Sequence, residues 1–142
     1  MAEDIAKMTS DEREQLLADT HVGVVAVERA DRAPLAVPIW YGYRPGGEVL
    51  LWTESESLKY RVIRDAGRFT ITAQDEQPPY KYVTAEGEVT GIGPADDAEV
   101  RAIAVRYLGQ EAGGQFTDQN LTPTSIIIRM LQRRWLSTDY SK

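Results

Sequence analysis

Within LLWTESESLKYRVIRDAG (Leu50–Gly67), three hydroxyls and two cations fall close enough together to hold an anion. Thr53, Ser55 and Ser57 crowd into one short turn, and Lys59 and Arg61 follow directly. Ser55 or Ser57 can cap a helix that starts there, and Gly67 stands where a left-handed C-terminal cap is wanted. A helix start offers free N–H groups and a partial positive charge. Hydroxyls before it and cations in its first turn would make a phosphate cradle. The competing reading is a solvated basic helix after an ordinary cap. Lys59 is expected to be exposed when no ligand is bound.

The other chemistry-bearing residues are sparse. The single histidine, His21, excludes a multi-histidine metal site and disfavours a catalytic triad. Glu54 and Glu56 alternate with serines and are expected to face water, and Glu86 and Glu88 share one face of a strand. There is no dinucleotide fingerprint and no P-loop. Aromatics are more telling: Trp40, Tyr41 and Tyr43, then Trp52, then Tyr80 and Tyr82. They could wall a flat heteroaromatic ligand, or simply pack a core. Beside an anion cradle, with no obvious acid–base residue, they suit a flat, phosphate-bearing cofactor that brings its own chemistry.

The elements that must position these residues follow from periodicity. Thr9 and Glu12 have capping-box spacing ahead of a short helix over Thr9–Ala18. Six strands are expected. They are His21–Glu28, Pro34–Tyr43, Glu48–Thr53, Arg68–Gln74, Tyr80–Ile92 and Ser125–Leu131. Pro38 makes its strand an edge or a bulge, and Gly87 marks a bulge or a close approach. Leu50, Leu51 and Trp52 read as a strand covered on both faces. Leu58, Val62 and Ile63 would form the apolar face of the helix after Ser57. Asp96–Leu108 has helical spacing, Gly109–Asn120 reads as a mobile glycine-bearing connection, and Arg133–Lys142 as a tail. Hairpin-linked strands interrupted by one helix favour an antiparallel barrel with peripheral helices, mainly β in class (α+β).

The chain has 142 residues, enough for a single domain with a real core. Its net charge of −6 argues against general binding to nucleic acid or anionic membranes. No cysteine is present, which excludes disulfides, thiol nucleophiles and cysteine metal ligands. The acidic beginning, MAEDIAKMTSDEREQ, does not read as a signal or transit peptide, and no apolar run could span a bilayer. A soluble, cytoplasmic protein is expected.

The order PIWYGY, hairpin turn, EVLLWT, SxK at a helix start, RFTIT and KYVTAEGEV resembles the pyridoxamine 5′-phosphate oxidase-like split β-barrel flavoproteins. More narrowly it resembles the actinobacterial B-type flavin/deazaflavin oxidoreductases, over roughly His21–Tyr140. The resemblance implies a six-stranded antiparallel split β-barrel of the FMN-binding type. It implies that Thr53, Ser57, Lys59 and Arg61 hold the cofactor phosphate, and that Pro38, Ile39, Trp40 and Tyr41 run along the ring. It places Tyr80 and Lys81 at the dimer-facing side of the site, and implies a homodimer in which the segment around Trp135 completes a partner's site. Relatives often carry arginine where Ser57 stands, so this cradle has one charge fewer.

The expected activity is hydride transfer from reduced deazaflavin coenzyme F420 to an electron-poor small-molecule substrate. The acceptor's proton would come from Tyr41, Lys81 or water. The alternatives are an FMN-binding oxidase or reductase on the same fold, or a non-catalytic cofactor-binding protein.

Overall fold

The computed structural model describes residues 6–142; residues 1–5, where the acidic N-terminal stretch begins, lie outside the described residues. The elements run α1 (Ser10–Ala18), β1 (Gly23–Val27), β2 (Leu35–Ile39), β3 (Tyr41–Gly42), β4 (Val49–Glu54), α2 (Leu58–Ala66), β5 (Arg68–Asp75), β6 (Lys81–Pro94), α3 (Asp97–Leu108), α4 (Gln110–Asn120) and β7 (Ser125–Asp139). All strand pairings are antiparallel, in the order β2-β1-β5-β6-β7-β4-β3. The two ends of that order, β2 and β3, are successive pieces of one run separated by Trp40 alone. The sheet therefore curls back on itself, and that run pairs with β1 through its first half and with β4 through its second. The result is a mainly antiparallel split β-barrel with peripheral helices.

Seven strand segments replace the six expected because Pro34–Tyr43 breaks at Trp40. Pro38 has no N–H to give a second neighbour, as an edge position requires. Just past the break, the Tyr41 N–H donates to the Tyr107 hydroxyl at 3.2 Å.

Two further expectations are corrected. The supposed tail from Arg133 is strand: β7 continues to Asp139, paired along the whole of β6. Its polar run QRRWLSTD hides that, because the partner that orders it lies some fifty residues earlier in sequence. Gly87 meets its expectation within this pairing. A register shift falls beside it, and a Cβ there would lie 2.0 Å from the Leu131 carbonyl oxygen.

The supposed mobile connection Gly109–Asn120 is the helix α4. Two adjacent glycines, each worth about 1 kcal/mol against a helix, conceal it. Gly113 is there because α3 crosses so close that a Cβ would sit 2.6 Å from the Val105 backbone. Packing onto α3 offsets the poor intrinsic propensity.

Alternation along β4 sends Val49 and Leu51 into the barrel core with Val25, Ile71 and Met130. It sends Leu50 and Trp52 outward, against Val100 and Ile103 of α3. β4 is thus covered on both faces, as its apolar run suggests. On α2 only Ile63 is fully buried; Leu58, expected on the apolar face, is largely exposed. Among the described residues no helix is long and apolar enough to cross a membrane.

Candidate functional site

The site is built where β4 hands over to α2. Ser57 is the N-cap of α2, its hydroxyl accepting from the Tyr60 N–H at 3.1 Å. The Ser57 and Thr53 oxygens lie 2.9 Å apart, so two hydroxyls converge at a helix start. Gly67 closes the helix in the left-handed region, with φ 71°. Thr53 comes from the inward face of β4 and is nearly buried, and Lys59, expected to be exposed, lies half-buried in the first turn of the helix. Lys59 makes no ion pair among the described residues.

These residues open into a cavity of about 570 Å³. Thr53, Ser57 and Lys59 line one part. Pro38, Ile39 and Trp40 line another, at the strand break, together with Val22. Trp52 and Glu54 come from β4, and Phe116 and Asn120 from α4. The volume suits a small molecule or cofactor. A cleft of about 700 Å³ lies elsewhere, lined by Glu28, Asp65, Arg68 and Glu88. Of its two arginines, Arg68 is already paired with Glu28 and Arg29 donates to the Ala33 carbonyl at 2.8 Å, and the cleft has no aromatic wall, so it is the weaker candidate.

The aromatic wall is held from behind. Trp40 stacks on Tyr107, with centroids 5.0 Å apart and planes 7° from parallel. The same tyrosine hydroxyl that accepts from Tyr41 N–H donates to the His21 carbonyl at 2.7 Å. Tyr107 therefore both satisfies the broken strand and fixes the indole. Phe116 stands 5.2 Å from Trp40 and 5.8 Å, edge-on, from Trp52.

Glu54 does not simply face water. Its carboxylate accepts from the hydroxyl of Ser125 at 2.6 Å and from those of Thr122 and Thr124 at 3.1 Å each. That ties the corner between α4 and β7 to the end of β4.

Of the ten residues expected at the site, the cavity gathers Pro38, Ile39, Trp40, Thr53, Ser57 and Lys59. Four stand elsewhere. Tyr41 turns into the barrel core, fully buried, and its hydroxyl donates to the Leu17 carbonyl at 2.7 Å. Burial pushes its acidity well below that of an ordinary tyrosine, so it is no proton donor for the cavity. Arg61 folds back to donate to the Glu56 carbonyl at 2.9 Å. Tyr80 is exposed, and Lys81 begins β6 opposite Asp139. Trp135 packs between Tyr43 and the Arg13 guanidinium of its own chain. Phe116, Asn120, Val22 and Glu54 had not been expected at the site. The first two sit on the unrecognised helix, and Val22 gives no signal beyond being an apolar residue at a strand start.

A model of the family described as pyridoxamine 5′-phosphate oxidase matches residues 9–126, from the capped start of α1 into β7. The chain belongs to the pyridoxamine 5′-phosphate oxidase family. No curated protein matches it by sequence. Among solved structures, a conserved hypothetical protein from Mycobacterium tuberculosis is similar with a TM-score of 0.79 at 22% identity, covering 99% of this chain and 89% of that one. An F420 reductase is similar with a TM-score of 0.69 at 22% identity, covering 86% and 94%. An FAD-binding protein from Mesorhizobium loti follows with a TM-score of 0.65 at 16% identity, covering 92% and 91%. At these identities the likenesses establish the family's fold.

Proposed function

We propose that this protein is an oxidoreductase that uses reduced F420 to reduce an electron-poor small molecule. The observation that carries the reading is the charge count of the cradle. Two hydroxyls, a helix start and one lysine converge. F420 carries its phosphate as a phosphodiester, a monoanion that one ammonium can balance. FMN carries a monoester, close to a dianion at neutral pH. The similarity of an F420 reductase supports the same choice.

When bound, the reduced deazaflavin supplies a hydride from C5 and is oxidised, while the acceptor gains that hydride and a proton. The chain's own residues bind, orient and exclude water. Thr53, Ser57 and Lys59 hold the phosphate. Pro38, Ile39, Trp40 and Trp52 give the ring an apolar seat. With Tyr41 committed to the core and Lys81 outside the cavity, the acceptor's proton comes from water. The test is the absorbance of the purified protein, followed by turnover of added F420 with an acceptor. A colourless protein that oxidises reduced F420 bears the reading out. A bound flavin spectrum would replace it with an FMN oxidase or reductase, and binding without turnover would leave a cofactor carrier.

The protein is further read as a homodimer. The register places Pro38, Val24, Thr72, Thr84 and Leu136 in one row across five strands. Val24 and Leu136 are exposed there, and Pro38 also lines the cavity, so a second copy on this row would border the site. Sedimentation at micromolar concentration tests it; a monomer would contradict it.

A further inference from the structure

The cavity is chemically divided. Hydroxyls and the lysine occupy the α2 side, while α4 contributes Phe116 and Asn120. On the reading above, strand residues seat the cofactor ring and the phosphate lies toward α2. The α4 side is then what the acceptor meets. We propose that Phe116 is the specificity-determining residue of this protein, admitting an uncharged, flat, conjugated acceptor and limiting its size.

Three observations place Phe116 in that role. Its ring contacts both cavity tryptophans, at 5.2 and 5.8 Å, so it fills space that a planar molecule would otherwise take. Its backbone cannot retreat: Gly113, one turn earlier, already abuts Val105 of α3, with no room for even a methyl group. At the other end, Glu54 ties the corner after α4 through three hydroxyls. A ring held on a helix anchored at both ends acts as a wall of fixed position. Around it the side chains are the aromatic Trp40 and Trp52 and the uncharged Asn120, whose side-chain amide donates to the Phe116 carbonyl at 2.8 Å, and the charged groups of the cavity are committed elsewhere. Lys59 lies on the α2 side, and Glu54 accepts from hydroxyls. A charged acceptor would gain nothing at the α4 side, whereas a flat apolar one stacks.

The inference rests on the cofactor reading, and the experiment separates the two. Wild type, Phe116→Leu and Phe116→Ala are titrated with F420 and with FMN. Each is also tested by equilibrium dialysis with 2-naphthalenemethanol and 9-anthracenemethanol, as unreactive two-ring and three-ring probes. In Phe116→Ala, cofactor affinity is expected to stay within about twofold of wild type. The three-ring to two-ring affinity ratio should rise about tenfold or more, the scale on which apolar pockets discriminate by volume. Phe116→Leu should give a smaller rise in the same direction. An unchanged probe ratio would overturn the proposal. So would a fall in cofactor affinity matching the change in probe binding, since Phe116 would then belong to the cofactor seat. If wild type binds neither cofactor, the cofactor reading fails, and the probe ratio still decides the role of Phe116.

Discussion

Two helices deliver side chains to one cavity, and they are held by opposite means. α2 carries its instructions locally. Ser57 caps its start and Gly67 ends it, both signals lying in its own stretch of sequence. α4 begins at Gly109 with no side-chain cap and contains two glycines in sequence. It is helical because α3 lies beneath it at a distance only glycine permits. The α2 side of the cavity is thus specified by neighbours in sequence, and the α4 side by neighbours in space.

The comparison breaks most sharply at Gly113. Gly113→Ala drives a methyl group into the Val105 backbone, which cannot move as a side chain would. It should destabilise the protein by about 1–3 kcal/mol, read from urea unfolding, and lift the Phe116 wall. The neighbouring position should behave differently. A Cβ on Gly114 would meet only the end of the Arg101 side chain, at 3.2 Å, so Gly114→Ala should stabilise by up to about 1 kcal/mol through helix propensity. Opposite signs at adjacent glycines would be the signature of a helix made by contact.

For α2 the matching change is Ser57→Ala. It removes the cap and the partner of the Thr53 hydroxyl, and should destabilise by about 1 kcal/mol. Thermal melts of this variant check that α2 depends on its local signal. A loss near zero would mean that packing holds α2 as it holds α4.

The smallest effect concerns α1, another locally capped helix. Glu12 closes its capping box, and hydrogen bonds from Lys142 first and then Thr9 lower its pKa from 4.5 to about 2. A carboxylate lowered in the folded state stabilises above its unfolded pKa and loses that contribution as pH falls. Stability should therefore decline between about pH 4.5 and 2, and Glu12→Gln should flatten that part of the pH profile of the melting temperature.

Legibility followed the same division. The alternating strands, the capped helices α1 and α2, and the close approach at Gly87 all rest on patterns a few residues long. Pro38, Trp40, Thr53, Ser57 and Lys59 were readable for that reason. Burial separates Tyr41 from Trp40: past the strand break Tyr41 turns fully into the barrel core, whereas Trp40 is left at the cavity. Reading residues 38–41 as one continuous ring-facing stretch overlooks that turn. α4 and the second half of β7 were not legible, because their order comes from α3 and from β6. Phe116 and Asn120 were hidden with them. Glu54 was misplaced because its three hydroxyl partners lie about seventy residues later.

The central claim is that the start of α2 is a phosphate seat. Paired fluorescence titrations of wild type and Lys59→Ala with F420 and FMN test it most directly, alongside a melt of each protein. A charge-assisted hydrogen bond contributes about 1.5–3 kcal/mol, roughly 10- to 100-fold in affinity. Lys59→Ala should weaken F420 binding by about that factor with an unchanged melt, and wild type should prefer F420 to FMN. Unchanged affinity in a folded variant would contradict the account and leave α2 as a solvated basic helix.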